Sequence, residues 1–154
     1  MDDVQLANYV AGSDPGPVVV GRVNREMAHF LSVRSGALIL LSDYTLTKTR
    51  YRHKEIGFRD YKLLPEILAN GFVMPGNKKK SVEVCYIDTS MQIFRLWRVC
   101  LKGVLPFEVY VTMFHRLHMK EARRLYRRAW RRGTLLRDHK NQLAQRLLRY
   151  ASGV

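Results

Sequence analysis

The stretch ALILLSDYTLTKTRYRH, residues 37–53, decides how the rest of the chain is read. Its first residues, Ala37, Leu38, Ile39, Leu40 and Leu41, are continuously apolar, which predicts a strand buried on both faces, inside a sheet or against helices. Ser42 and Asp43 break the run, and either side-chain oxygen can accept a free amide from a first helical turn. The predicted helix then sets Thr45, Lys48, Arg50, Arg52 and His53 within about three turns. A buried strand thus hands over to a dense titratable cluster, which becomes a site only if later strands fold back against it.

Upstream, residues 1–17 hold Gly12, Asp14, Pro15, Gly16 and Pro17 and read as a flexible leader with little to bury. Val18, Val19 and Val20 form a short β-branched strand ended by Gly21. Val23, Met27, Phe30 and Leu31 then fall at helical spacing, up to Ser35 and Gly36. Downstream, Phe58, Tyr61, Leu64, Ile67 and Leu68 repeat the helical pattern. Pro65 predicts a helix start near Leu64, and Asn70-Gly71 a stop. From Phe72 to about residue 117, strand patterns separated by short polar or Gly/Pro connections read as an antiparallel meander. Residues 119–132 form a helix with Ala122, Leu125, Tyr126 and Ala129 on one side and an arginine-rich remainder. Leu135, Leu136, Leu143, Leu147 and Leu148 mark a second basic amphipathic segment. The expected fold class is α+β: N-terminal helices on an antiparallel sheet of about four strands over residues 18–118, with a basic helical extension over residues 119–154.

A chain of 154 residues with 47% hydrophobic content suits one domain with a real core. Its net charge is +14 and its pI about 10.2. Such a field favours a polyanionic partner, nucleic acid or an anionic membrane surface. Cys85 and Cys100 lie inside apolar patterns and make no disulfide framework. The acidic start Met1-Asp2-Asp3, with no basic segment followed by an apolar core, predicts no signal peptide. No apolar run approaches the roughly 20 residues of a membrane span. A cytoplasmic location is therefore expected.

Strand alternation decides which cations can share a site. Over residues 108–115, Val109, Val111 and Met113 form the apolar face and leave Tyr110 and Thr112 opposite. Over residues 91–102 each face has an arginine; Arg98 and Lys102 are favoured as neighbours of Tyr110 and Thr112, with Arg95 on the alternative face. A site of His53, Lys48, Arg98, Lys102, Thr112 and Tyr110 suits phosphodiester cleavage. A histidine moves protons near neutral pH, Lys and Arg offset charge building on phosphoryl oxygens, and hydroxyls hold a nonbridging oxygen. In RNA the neighbouring 2'-OH is the nucleophile, so no metal, cofactor or protein nucleophile is required. His115 and His118 form an HxxH, but they span the end of a strand pattern without nearby Cys or paired carboxylates, and no metal is expected there. Arg50, Arg52, Arg95, Arg123, Arg124, Arg127, Arg128 and Arg131 are candidate contacts to a nucleic-acid backbone; on the helix of residues 119–132 the crowding of six arginines, with Glu121 as the main local acid, is relieved by a polyanion. Trp97 and Trp130 read as packing residues.

The order of these patterns resembles a known family. Residues 19–23, a helix through Leu31, SGALILLSDYTLTKTRYRH (35–53), YKLLPEILANG (61–71) and VYVTMFHR (109–116) are similar to phage-associated nucleases of the barnase/EndoU/colicin/RelE-like (BECR) fold. The matching positions are Ser42, Thr45, Lys48, His53, the helix at Leu64-Pro65, Arg95 or Arg98 with Lys102, and Val111-Thr112. Phe114 stands where that pattern commonly has a tyrosine. The resemblance implies a small α+β domain and metal-independent, toxin-like cleavage of tRNA or another structured RNA, with a cognate inhibitor protein as a second partner. The rival expectations are a non-catalytic nucleic-acid-binding module of a phage or mobile-element protein and a basic domain that lies on membrane surfaces.

Overall fold

The computed structural model describes residues 3–13, 16–105 and 108–150. Met1, Asp2, Asp14 and Pro15 of the expected leader, Pro106 and Phe107, and residues 151–154 of the expected extension lie outside these. Helix α1 (Asp3–Val10), strand β1 (Val18–Arg22), helix α2 (Arg25–Leu31) and strand β2 (Leu38–Leu41) lead into helices α3 (Asp43–Arg52), α4 (Phe58–Lys62) and α5 (Leu64–Asn70). Strands β3 (Phe72–Pro75), β4 (Ser81–Asp88), β5 (Arg95–Leu105) and β6 (Glu108–Arg116) follow, then helices α6 (Met119–Arg131) and α7 (Gln142–Arg149).

The class is α+β, but the sheet has six strands in the order β1-β2-β6-β5-β4-β3. It is mixed, since β2 pairs parallel to β6 while the other pairs are antiparallel. The expectation of about four antiparallel strands fails because the apolar run of β2 is inserted between β1 and β6. Burial on both faces requires such an interior position. The expected leader is corrected as well: α1 buries Leu6 and Tyr9 in the main core, and the Tyr9 hydroxyl donates to the Leu41 carbonyl at 2.9 Å.

One face of the sheet, through Val82, Val84, Trp97, Val99, Val109, Val111 and Phe114, packs with α1, α2, α4 and α5. The other carries a smaller core, in which Phe72, Met74, Cys85, Ile87 and Leu96 meet Ala122, Leu125, Tyr126, Ala129, Ala144 and Leu148 of α6 and α7. The second layer covers β3, β4 and the start of β5 only. Asp60 ties the first layer together. Its Oδ1 accepts from Trp97 Nε1 at 3.0 Å and Arg116 Nη2 at 2.8 Å, and its Oδ2 from the Gly57 amide at 2.8 Å. Gly103 lets β5 approach the end of α2, because a Cβ there would collide with the Leu31 carbonyl. Among the described residues no helix is long and apolar enough to cross a membrane.

Residues 134–141 do not continue the helical pattern expected of this region. They run along β3 through a bridge from Val73 to Arg137, whose guanidinium donates to the Gly71 and Leu68 carbonyls. His139 is fully buried, and its Nε2 lies 3.1 Å from the Ile87 amide, stacked on Tyr86. Burial lowers its pKa from 6.5 to about 4. The unfolded chain therefore takes up this proton first as pH falls. The contribution is whole above pH 6.5 and is lost between pH 6.5 and about 4, a loss on the order of 3 kcal/mol. Denaturant titrations across that window are expected to show a steeper acid loss for the natural chain than for His139→Asn. Parallel curves for the two would refute a buried neutral imidazole.

Candidate functional site

Strand β2 ends at Leu41, and its pairing with β6 reaches only Leu40 opposite Tyr110. Helix α3 takes over beside the rest of β6. Ser42 starts it by accepting from the Thr45 amide at 3.2 Å. Thr45 Oγ1 donates to the Val111 carbonyl at 2.7 Å and Lys48 Nζ to the Thr112 carbonyl at 2.6 Å. At the far end of the helix the His53 ring stacks on His115, with centroids 5.1 Å apart and planes at 23°. Three contacts in succession therefore lay α3 along β6.

The face of β6 next to α3 is set by a bulge. Cys100 pairs with Met113 and Leu101 with Val111, which leaves Thr112 as the extra residue. Beyond it, Lys102 lies opposite Tyr110 and Arg98 opposite His115. Trp97, Val99 and Leu101 are buried in the main core. The ambiguity left by strand alternation is resolved accordingly, with Arg98, Cys100 and Lys102 on the face that α6 and α7 leave half open. Arg95 lies on the alternate face, opposite Asp88 in register.

A cleft of about 230 Å³ occupies that open half. Lys48, Lys102, Thr112, Lys78, Ser81 and Glu83 contribute to its lining. Thr112 Oγ1 donates to the Cys100 carbonyl at 3.2 Å. The cleft thus gathers lysines from α3, β5 and the β3–β4 hairpin around a threonine on β6. His53 and His115 stand beyond it along the same two elements, about 7.5 Å further on by helical rise and about 10 Å by strand rise. The Nδ1 of His115 is 2.7 Å from the Arg116 carbonyl and that of His53 is 3.5 Å from Glu55 Oε1. The His115 ring is thereby anchored through Nδ1, whereas His53 makes only the longer contact, to a half-exposed carboxylate.

Arg98 sits between cleft and histidines, but it is committed to carboxylates. Its guanidinium meets Glu83 at 2.6 Å and Glu121 at 3.6 Å. Burial works against its charge, yet the Glu83 carboxylate more than offsets this and raises its pKa. Glu83 is only 6% exposed, on a cleft whose other charged lining residues are Lys48, Lys78 and Lys102. Burial, reinforced by Glu83, pushes the Cys100 thiol up to about 12, so it is not a thiolate at neutral pH. Tyr110 lies outside the cleft lining; its hydroxyl donates to Glu108 at 3.2 Å, and burial together with that bond raises its pKa.

The expected backbone contacts separate into groups. Arg123 Nε donates to the Leu147 carbonyl at 2.8 Å and Arg127 Nη2 to the Arg149 carbonyl at 3.3 Å, so both cap the end of α7. Arg124 is exposed beside Glu121 at 3.7 Å. Arg128 and Arg132 line a second depression that shares Gly76 and Asn77 with the cleft, and Arg131 is exposed. Arg52 is exposed, while Arg50 lies on the flank of α3 near Tyr9 and Gly12. Trp130, read as a packing residue, is 54% exposed beneath the Arg149 guanidinium. Sequence reasoning missed His115 as a partner of His53, because the HxxH spacing was weighed only as a metal motif. Regular alternation sets His115 on the face opposite Thr112, which lies three residues before it, and only the bulge at Thr112 undoes that, so the sequence held no signal for the pairing. It also missed Lys78, which belongs to the hairpin run Lys78-Lys79-Lys80.

Compared with known proteins, the chain matches no family model, no curated protein and no solved structure. Function is therefore argued from the site's own geometry. The two cations of β5, Arg98 and Lys102, are expected to separate by stability. Arg98→Ala leaves Glu83 buried and unpaired and should cost about 3–5 kcal/mol in chemical denaturation, whereas exposed Lys102→Ala should stay within about 0.5 kcal/mol of the natural chain. Equal stabilities would contradict the structural role given to Arg98.

Proposed function

We propose that this protein is a metal-independent endoribonuclease that cleaves by attack of a 2'-OH on the adjacent phosphate. The observation that carries the reading is the cleft where Lys48, Lys102 and Thr112 converge, with the His53/His115 pair at the other end of the same helix and strand. Lys48 and Lys102 offset charge on the nonbridging oxygens, and the Thr112 hydroxyl positions one of them by turning its single proton away from the Cys100 carbonyl. One imidazole takes the 2'-OH proton as the O2'–P bond forms. The other gives a proton to the 5' oxygen as the P–O5' bond breaks, leaving a 2',3'-cyclic phosphate and a 5'-hydroxyl. Arg98, held by Glu83, orients this face of the sheet rather than acting as a free phosphate ligand. The resemblance to BECR-fold nucleases points to the same chemistry, with a toxin-like role and an inhibitor protein that would cover the basic cleft.

A second reading, a non-catalytic nucleic-acid-binding module, is favoured by the basic belt that runs from the cleft over the hairpin lysines to Arg128 and Arg132. Incubation with RNA in EDTA separates the two. Cleavage to cyclic-phosphate ends is expected, with His53→Ala and His115→Ala each slowing it by at least about 100-fold, and a single 2'-deoxy substitution at the cut position abolishing it. Salt-sensitive binding without cleavage would leave the binding module. Cleavage indifferent to both histidines would remove them from the chemistry.

A further inference from the structure

The outer side of α3 carries two tyrosines that the proposed cleavage does not use. Tyr44 is 76% exposed and Tyr51 81% exposed. Seven residues apart, they fall about 20° from each other around the helix and about 10.5 Å apart along it. Lys48 stands between them, about 40° further round than Tyr44. Thr45, Leu46 and Thr49 hold the buried side, so the tyrosine ridge faces water. The Lys48 ammonium is 5.6 Å from the Tyr44 ring centroid and at the same time donates to the Thr112 carbonyl. Ridge and cleft therefore share a residue.

Large rings left exposed on a rigid helix, next to a phosphate-sized basic cleft, have the composition of a stacking surface. The surrounding charges select the occupant. Arg52 and Lys54 are exposed at the end of the same helix, and the cleft adds Lys102 and Lys78. This suits a polyanion with free base faces. A duplex keeps its base faces stacked inward, where a helix-surface tyrosine cannot reach them. We propose that the ridge of α3 is a base-stacking platform for single-stranded RNA, in which Tyr44 and Tyr51 each take an unpaired base beside the phosphate held at Lys48. This rests on the RNA reading of the cleft and narrows its substrate to unpaired segments.

The test is fluorescence anisotropy with a 2'-O-methyl oligonucleotide, which cannot be cleaved by 2'-OH attack, as a single strand and as a duplex over a range of salt. The single strand should bind more tightly. Tyr44→Ala and Tyr51→Ala should each weaken single-strand binding at least about fivefold with the salt slope unchanged, while leaving duplex binding as it was. Tyr44→Phe and Tyr51→Phe should bind like the natural chain, since the ring and not the hydroxyl does the stacking. Natural affinity in the alanine variants overturns the platform and leaves the ridge to a protein partner. An equal loss on duplex, or an equal loss in the phenylalanine variants, overturns it too. Failure of the natural chain to bind either oligonucleotide overturns the RNA reading itself, whereas binding without any cleavage of ordinary RNA overturns the nuclease reading and spares the platform.

Discussion

The architecture turns on two carbonyl groups of β6 that strand pairing does not serve. Strand β2 is four residues long, and past it the Val111 and Thr112 carbonyls face a gap in the sheet. A buried carbonyl without a donor is costly, and a regular strand would aim successive carbonyls to opposite edges. The extra residue at Thr112 re-aims the backbone so that both are met from α3, by the Thr45 hydroxyl and the Lys48 ammonium. Satisfying the sheet edge is therefore what brings the helix against β6. Lys48 at the cleft and His53 on His115 are consequences of that docking. An ammonium has three donors, so one spent on the backbone fixes the lysine in place and leaves the others for an anion.

The same logic of internal partners shapes the surface charge. The sequence holds 13 acidic residues against 27 Lys and Arg, and several of the acids are drawn inward. Glu83 holds Arg98, Asp60 holds Arg116, and Asp138 holds Arg149. The Asp60–Arg116 pair joins elements distant in sequence, α4 and β6; the others tie β4 to its neighbour β5 and the segment before α7 to that helix's last turn. Carboxylates used for such pairs cannot neutralise the exterior. The excess positive charge is left on the hairpin, α3 and the outer side of α6, and that gives the surface a positive field.

Much of this was legible where periodicity decides structure. The alternation of Val109 and Val111 set the inner face of β6 as far as the bulge at Thr112; past it Phe114 is buried and Met113, expected on the apolar face, is exposed. The break at Ser42 marked the start of α3, and the apolar stripe Ala122, Leu125, Tyr126 and Ala129 marked the face of α6 that is buried. What escaped were pairings between distant segments. Nothing local to LILL or VYVT says that they run parallel, and Leu6 with Tyr9 is too short a pattern to distinguish a core helix from a leader. Arg123 and Arg127 looked like phosphate ligands because the carbonyls they cap belong to α7, some 20 residues away.

The candidate site then divides into a fixed floor and a free rim, and the division follows from burial. Arg98 and Glu83 are held at 2.6 Å with little exposure, so they cannot rearrange for an anion without leaving a buried charge behind. The longer contact to Glu121, at 3.6 Å and on a more exposed carboxylate, is the one that an incoming phosphate could replace. Lys102 and Lys78 reach into the cleft from exposed positions with their full donor sets. A floor that does not move holds the β5–β6 face in register, and with it the spacing between Thr112 and His115. The exposed lysines are the cations that an anion entering the cleft would meet first. The cleavage we propose would need that order, with the reacting groups fixed before an RNA strand arrives and only the grip adjusting to it.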